Sequence, residues 1–292
     1  MRSLPSGGKS IDYMAQGSRV CPNCGGLNGI KEETCYRCGK RLPGPVTGAF
    51  SGLLGELRAF EHPMTKVFWA LCILVFAACL AVDANPKALL SGFRASTSLR
   101  FGELFGPWVS VEPFRLLSAT FVHGGALHIF FNSGALLYLG RFVEGEFGSS
   151  RFAILFVLSA IGGFALAVFW NPYVRVVGAS GGIFGLIGAM TAMFLVRRDP
   201  VLKKAVTQML IYALIMTFIF PGISISAHLG GLATGLVVGL FFELTRRSRA
   251  LDKLMLALAV LAVGASVGSI VLSNRSPFWK EVRLEEEMRG PQ

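Results

Sequence analysis

Two residue types that can perform nucleophilic catalysis stand at the beginnings of two separate apolar segments. Gly178, Ala179, Ser180 and Gly181 open one segment, and His228 opens another 48 positions after the serine. A hydroxyl and an imidazole are costly at membrane depth, so polar side chains there commonly mark a functional site. A hydroxyl that attacks and a base that accepts its proton are the minimum for nucleophilic catalysis. The pair Ser180 and His228 is therefore the first candidate for a catalytic site.

The segments around these residues are apolar enough to cross a membrane. Only 15% of the 292 residues are charged, against about 25% in soluble domains, and the mean hydropathy is +0.58. Apolar runs of bilayer-spanning length are predicted at seven places: 64–82, 123–142, 151–170, 178–196, 204–220, 227–244 and 254–273. These runs are apolar around most of the helix circumference, which disfavours a soluble protein with amphipathic outer helices. The composition therefore predicts an all-α polytopic membrane protein.

The distribution of basic residues predicts the orientation of the spans. Lys and Arg collect in the loops after the fourth and sixth spans, at Arg197, Arg198, Lys203, Lys204, Arg246, Arg247, Arg249 and Lys253. The loop at 221–226, on the other side, carries none. Because positively charged short loops stay in the cytoplasm, we expect a cytoplasmic N-terminus and an external C-terminus, in a bacterial inner or plasma membrane. No secretory signal is visible in the first 20 residues, so the first span would serve as its own insertion signal.

The net charge of +11 has a competing interpretation, which is a surface that binds nucleic acid. The basic residues are scattered over the loops instead of being clustered in one patch. Much of the charge serves membrane orientation, so nucleic acid is not an expected partner.

With this orientation the second, fourth and sixth spans all begin at the external face. His128 and Asn132 lie near the start of the second span, Ser180 at the start of the fourth and His228 at the start of the sixth. A lone histidine in a membrane is usually a hydrogen-bonded packing residue, but three of the chain's four histidines, including His123, fall in this one layer. His128 and Asn132 are four residues apart, so they share a helix face. Together with the Ser180 N–H they could stabilise a developing oxyanion.

Glycines recur on the two helices that carry the candidate pair. They stand at Gly181, Gly182, Gly185, Gly188, Gly231, Gly235 and Gly239. Small residues at such spacing let two helices approach closely, so Ser180 and His228 could come within hydrogen-bonding distance. No Asp or Glu lies in the apolar cores of the second to seventh spans, and no H-E-x-x-H is present. The pattern thus favours a Ser–His dyad over an aspartyl protease, a metalloprotease or a carboxylate proton relay.

Four separated motifs resemble the rhomboid family of membrane proteins. They are H-G-G-A-L-H-I-F-F-N from His123 to Asn132, G-A-S-G-G-I-F-G from Gly178, A-H-L-G-G-L-A-T-G from Ala227, and Glu112-Pro113-Phe114-Arg115 in the first loop. The family's usual residue before the arginine is Trp, where this chain has Phe114. The resemblance covers about 64–244 and implies a rhomboid-like six-helix core, to which this chain adds a seventh C-terminal transmembrane helix.

The resemblance implies an intramembrane serine endopeptidase whose substrates are transmembrane proteins in the lipid bilayer, with no cofactor for catalysis. Ser180 and His228 would be catalytic, and His128, Asn132 and the Ser180 N–H would form the oxyanion hole. The supporting positions that it implies are His123, Gly178, Gly181, Phe184 stacked on the histidine, and Arg115 in the first loop. Two alternatives stay open: a catalytically silent rhomboid-like protein that binds membrane clients, and a membrane adaptor that acts through its N-terminal module.

That module is indicated by two C-x-x-C pairs, formed by Cys21 and Cys24 and by Cys35 and Cys38. Four thiolates at this spacing fit one tetrahedral structural Zn²⁺. Two disulfides are the alternative, which a reducing cytoplasm disfavours. The polar 1–45 segment has too few apolar residues for a core, so a metal would supply its folding free energy. We expect a zinc-ribbon-like module, with a possible cytoplasmic partner that the sequence does not identify.

The predicted organisation has four parts. They are a zinc-ribbon-like module at 1–45, a linker or interfacial helix at 46–63, the rhomboid-like membrane core at 64–244, and the seventh span with a charged tail at 245–292.

Overall fold

The computed structural model describes residues 18–21, 27–29, 32–42, 61–83, 85, 87–219, 222–246 and 251–289. The chain divides into two compact units, Met1–Glu61 and His62–Gln292. In the first unit, strands β1 (Ser18–Val20) and β2 (Leu27–Gly29) form an antiparallel pair. The predicted linker or interfacial helix at 46–63 falls almost entirely outside the described residues, and the bounds of the four predicted parts stay predictions.

The second unit is helical. Its helices within the described residues are α1 Pro63–Asp83, α2 Ala88–Ser91, α3 Ala95–Phe101, α4 Arg115–Ser118, α5 Ala126–Phe147, α6 Ser149–Trp170, α7 Ser180–Arg197, α8 Pro200–Ile219, α9 Ile225–Leu244, α10 Asp252–Arg275 and α11 Phe278–Arg289. Of these, α1, α5, α6, α7, α9 and α10 are long and apolar enough to cross a membrane. The predicted fifth span corresponds to α8, a 20-residue helix that is not among those six. The all-α polytopic membrane fold is confirmed.

Helices α7 and α9 are in backbone contact along a seam of glycines. A Cβ added to Gly231 would overlap the carbonyl oxygen of Gly181, and one added to Gly235 would overlap that of Gly185. The same holds one turn further, between Gly188 and Leu232. Real Cβ atoms do not approach backbone atoms this closely, so the seam exists only because these positions lack side chains. The glycine spacing thus fixes the distance between the two helices that carry Ser180 and His228.

Replacing Gly235 with alanine should therefore lower the stability of the helical unit. The new methyl group would press on the Gly185 backbone, and such overpacking typically costs about 1–3 kcal/mol, more than the roughly 1 kcal/mol that alanine gains in helix propensity. Gly264→Ala is the matched control, because nothing lies within 4 Å of a Cβ at that position. Thermal unfolding in one detergent should show a lower midpoint for Gly235→Ala and an equal or higher one for Gly264→Ala. Equal shifts for the two variants would contradict this interpretation of the seam.

A buried carboxylate joins α1, α5 and α6. Glu144, near the end of α5, is only 3% exposed. It accepts hydrogen bonds from the backbone N–H groups of Met64 (3.0 Å) and Thr65 (2.8 Å), and from the hydroxyls of Thr65 (2.7 Å) and Ser149 (2.6 Å). A negative charge at a helix N-terminus satisfies orphan N–H groups and interacts favourably with the helix dipole. Glu144 therefore caps α1 from a distant part of the sequence.

An ionic cluster ties α5, α7 and α9 together at the end of the bundle away from Ser180. The Arg197 guanidinium lies 2.8 Å from Glu146 and 2.8 Å from Glu243. Arg246 approaches the same two carboxylates, at 3.3 and 3.7 Å. These pairs are partly exposed, so each contributes modestly, but as a network they hold the three helix ends in register.

The first loop, which lies between α1 and α5, is structured. Strand β3 (Leu104–Phe105) pairs antiparallel with β4 (Arg175–Val176), the strand that precedes α7. The fully buried Arg115 donates to the carbonyl oxygens of Leu99 (2.8 Å) and Glu103 (2.9 Å) and pairs with Glu112. Five donors in a rigid guanidinium suit this multiple contact, and the arginine thereby organises the loop around itself.

The predicted charged tail forms a helix, α11, which the sequence analysis did not anticipate. Two ion pairs with i,i+4 spacing support it, between Arg283 and Glu287 (2.8 Å) and between Arg289 and Glu285 (3.6 Å). At its start Trp279 is 8% exposed and donates to the Asn274 carbonyl (3.2 Å). The tail is therefore anchored to the end of α10 by an aromatic side chain.

Candidate active site

Ser180 is the first residue of α7, and the turn before it depends on Gly178. Gly178 has a φ of +116°, in the region that favours glycine. Its N–H donates to the Ala119 carbonyl (2.8 Å), which holds the turn against the end of the first loop. A Cβ at this position would lie 2.6 Å from Nε2 of His128. The glycine therefore permits both the backbone conformation and the close approach of an imidazole to the serine turn.

The hydrogen bonding of His128 assigns its tautomer. The backbone N–H of Gly124 donates to Nδ1 of His128 (3.3 Å), so Nδ1 acts as an acceptor and carries no proton. In the neutral imidazole the proton then resides on Nε2, the atom that faces the Gly178 backbone. His128 thus presents an N–H donor to the turn that leads into Ser180.

Two further donors belong to the same layer. Asn132 is 8% exposed and lies one turn after His128, to whose carbonyl oxygen its side-chain amide donates (2.9 Å). The N–H of Ser180 is at the beginning of a helix, where the first four N–H groups have no intrahelical acceptor. The dipole of α7 favours negative charge at that point. An imidazole, a carboxamide and a helix N-terminus therefore offer donors near the serine.

His228 lies in the first turn of α9 and is stacked on Phe184. The two ring centroids are 3.9 Å apart with an interplanar angle of 14°. The Ser224 side chain accepts from the Ala227 N–H (3.3 Å) and caps the helix. The stack fixes the plane of the imidazole, and a protonated ring in that position would gain a cation–π interaction with Phe184.

The structure brings the serine and histidine helices together, although no hydrogen bond joins the Ser180 hydroxyl to another described residue. The contact is between their neighbours, because a Cβ on Gly181 would lie 3.7 Å from the carbonyl oxygen of Ala227. Catalytic hydrogen bonds are often long before substrate binds and tighten in the complex. The arrangement is therefore compatible with proton transfer from Ser180 to His228, and the dyad stays a prediction.

His123 lies behind this layer and contacts His128 edge-on. The ring centroids are 5.1 Å apart at 65°, and His123 is 1% exposed. Its Nδ1 is 3.2 Å from the Phe121 carbonyl, so that nitrogen carries the proton and donates. The sequence analysis predicted a supporting role for His123. The contact is compatible with that role, because the His123 ring packs against the ring of His128.

The sequence analysis missed an ion pair that holds the strand before the serine. Arg175 on β4 makes two hydrogen bonds to the Glu103 carboxylate, at 3.0 and 2.6 Å. Burial raises the pKa of Glu103, against the hydrogen bond and charge of Arg175, which lower it. The available signal was that Arg175 is the single basic residue in 171–177. This pair joins the two strand segments, and the Arg115 contacts hold the Glu103 backbone immediately before β3.

Three of the four predicted metal ligands lie together in the first unit. The sulfur atoms of Cys21, Cys35 and Cys38 are all within 4.8 Å of one another, and those of Cys21 and Cys38 are 3.7 Å apart. Tetrahedral zinc with Zn–S bonds of about 2.3 Å requires sulfur separations of roughly 3.8 Å. Gly39, with a φ of +70°, closes the second knuckle. These three thiols fit a metal, whereas Cys24 lies outside the described residues.

The fold and this layer define a class: a polytopic helical membrane protein with a serine, an imidazole and several hydrogen-bond donors at one end of its bundle. The model of the Rhomboid domain family matches residues 110–244. The chain is 33% identical over 147 residues to "Putative rhomboid protease YdcA" of Bacillus subtilis, a match covering 49% of this chain and 71% of that protein. The chain belongs to the rhomboid family.

Two further relatives differ in what their names say about activity. Rhomboid protease GluP of Bacillus subtilis is 32% identical over 230 residues, which are 76% of this chain and 43% of that protein. Inactive RHOMBOID-like protein 8 of Arabidopsis thaliana is 29% identical over 150 residues, 44% of this chain and 43% of that protein. The chain spans between about a third and a half of the length of the first curated relatives it matches. Family membership alone therefore does not establish proteolytic activity.

Proposed function

We propose that this chain is an intramembrane serine endopeptidase that acts through a dyad of Ser180 and His228. The observation that carries the proposal is the layer in which Ser180 begins α7, His228 is stacked on Phe184, and the Nε2–H of His128 faces the serine turn. The layer combines a nucleophile, a base and donors for an oxyanion, which are the parts that acyl transfer needs.

In the proposed mechanism His228 accepts the Ser180 hydroxyl proton as the oxygen attacks a peptide carbonyl. The Nε2–H of His128, the Asn132 amide and the Ser180 N–H donate to the resulting oxyanion. The imidazolium then gives its proton to the leaving amine, and the peptide C–N bond breaks. Water, deprotonated by His228, hydrolyses the acyl-enzyme and restores the serine.

The proposed substrates are membrane proteins whose transmembrane segments can unwind, because a protease needs extended backbone and bilayer helices have their backbone groups paired. From the basic loops we propose that the N-terminus is cytoplasmic and that the Ser180 end of the bundle lies at the external face. A bacterial inner or plasma membrane remains the proposed location.

A silent client-binding protein is the main alternative, and a membrane adaptor is the other. A silent protein does not require a nucleophile and a base, and both residue types are present here. The test is incubation of the purified full chain, in liposomes, with a single-span membrane protein, together with mass spectrometry after treatment with a fluorophosphonate. A protease should release two fragments and carry the phosphonyl group on Ser180. Binding without cleavage or labelling would favour the silent protein.

For the N-terminal module we propose a structural Zn²⁺ held by Cys21, Cys24, Cys35 and Cys38. The three described thiols support it, because their sulfur atoms lie within 4.8 Å of one another, as the three ligands on one face of a tetrahedral site would. Four thiolates leave no open position for water, so such a metal would stabilise the fold of the module and take no part in hydrolysis. A cytoplasmic protein remains the proposed kind of partner for the module.

Protein purified under reducing conditions is expected to contain one zinc per chain. Cys38→Ser should abolish stoichiometric zinc, because three thiolates bind far more weakly than four. Cys79→Ala is the matched control, since Cys79 is a buried thiol within α1, and it should retain the metal. Inductively coupled plasma mass spectrometry measures both. Zinc-free wild-type protein, or equal zinc in the two variants, would contradict the site.

A further inference from the structure

Helix α11 lies outside the residues that match the family, 110–244, and takes no part in the proposed chemistry, yet it packs on the first loop. Phe278 is stacked on Trp108, with ring centroids 5.1 Å apart. The Arg100 guanidinium carbon lies 4.9 Å from the ring centroid of Trp279. These contacts seat the beginning of α11 against α3 and against Trp108, which follows β3 in the first loop.

The second half of α11 caps α3. The Glu286 carboxylate accepts from the Ser96 backbone N–H (3.2 Å) and from the Ser96 hydroxyl. Ser96 is the second residue of α3, and the N-cap residue, Arg94, makes no side-chain capping bond of its own. The first N–H groups of a helix need an external acceptor, and a carboxylate there also interacts with the dipole. Glu286 supplies what the local sequence of α3 lacks.

The capped helix continues directly towards the nucleophile. After α3 the chain passes through Gly102 and Glu103 into β3, which pairs with β4. Val176, the last residue of β4, is four residues before Ser180. The path from the cap to the serine thus runs through one short helix and one strand pair.

Helix α10 contacts the residues at the end of α3. The Ser273 hydroxyl oxygen lies 3.1 Å from that of Ser118, and the Ser118 hydroxyl donates to the Gly102 carbonyl (3.0 Å). Gly102 has a φ of +115° at the end of α3. The C-terminal segment is therefore linked to α3 at both ends, through Glu286 at its start and, by way of Ser118, through Ser273 at its finish.

We propose that α11 positions the serine turn, with Glu286 as the positioning residue that acts through α3 and the β3–β4 pair. The inference rests on the proposed function only for the expected effect on the reactivity of Ser180. The structural part concerns the order of β3 and β4 and holds for a silent protein as well.

The test compares Glu286→Ala with Glu285→Ala in the full chain. Glu285 is the adjacent, exposed carboxylate, whose partner is Arg289 on its own helix. Hydrogen–deuterium exchange should be faster at 104–106 and 174–176 in Glu286→Ala and unchanged in Glu285→Ala.

The second readout is the rate constant for phosphonylation of Ser180, in which the Oγ–P bond forms and fluoride leaves. In Glu286→Ala it should fall about tenfold, the effect of losing one charge-assisted bond. Proteolytic kcat should fall with it at unchanged KM, and Glu286→Gln, which keeps an acceptor oxygen, should recover part of the loss.

Equal exchange in the two alanine variants would overturn the proposal. So would a lower melting temperature for Glu286→Ala with an unchanged phosphonylation rate, because α11 would then stabilise the fold without positioning the serine. Failure of the proposed function is a different result, in which the wild type is neither labelled at Ser180 nor proteolytic. In that case the exchange comparison still decides whether α11 orders β3 and β4.

Discussion

Replacing Ser180 with alanine is expected to reduce cleavage of a membrane substrate to background while the protein stays folded. Loss of the nucleophile in a serine hydrolase removes roughly 10⁴–10⁶-fold of its rate, and no other described hydroxyl stands at the start of α7 beside the helix that carries His228. The side chain is small and begins a helix, so its loss leaves the packing of the bundle intact. Fragment release by gel and fluorophosphonate labelling measure the effect.

His228→Ala should give a loss of the same order, because nucleophile and base act as one unit and their losses are not additive. Ser91→Ala is a matched control, since Ser91 is an exposed serine of the first loop whose hydroxyl donates to the carbonyl oxygen of Lys87, the N-cap residue of its own helix. It should cleave and be labelled like the wild type. Substantial proteolysis by Ser180→Ala would remove the dyad from consideration.

The second large effect is expected at the oxyanion donors. His128→Ala and Asn132→Ala should each lower kcat by about 10²–10³-fold, the usual worth of one oxyanion donor, and should leave KM nearly unchanged. The loss should be smaller than that of Ser180→Ala, because two donors remain in each variant. Steady-state kinetics on a transmembrane substrate in liposomes separates kcat from KM.

Asn171→Ala provides the control for these variants. Its side chain accepts from the Tyr173 N–H (3.0 Å) in an exposed turn at the end of α6. The Asn171→Ala variant tests whether loss of a carboxamide near the same end of the bundle lowers kcat by itself. Wild-type kcat in both His128→Ala and Asn132→Ala would show that the donors have another function.

The helical fold could be predicted from the sequence because each span is a run of about 20 consecutive, mostly apolar residues. The candidate site could be located for a related reason. Ser180 and His228 are polar residues at the edges of apolar runs, and the glycines of α7 and α9 have a spacing that indicates close packing. In each case the signal is contained within one element, where hydropathy and spacing are sufficient.

The remaining features depend on contacts between distant parts of the chain, which no local pattern encodes. Glu144 caps α1 from 79 positions away, and Glu286 caps α3 from 190 positions away. In the sequence each is one glutamate among several near a helix end. The sequence motif pointed to Arg115, but the folding of the first loop around it was hidden, because its acceptors other than Glu112 are backbone carbonyls, which every residue possesses.

The glycine seam between α7 and α9 has a consequence for protein engineering. Where two main chains touch directly, no side chain is present that could change its rotamer to make room for a larger residue. The distance between the helices that carry Ser180 and His228 therefore cannot be adjusted in small steps by substitutions in the seam. A mutational library intended to change substrate preference should keep Gly181, Gly185, Gly231 and Gly235 invariant. Diversity belongs at exposed apolar positions near the same end of the bundle, such as Leu127 and Leu229, which are 59% and 52% exposed. Variants there should alter which membrane proteins dock against this end of the bundle without changing the distance between the helices that carry Ser180 and His228.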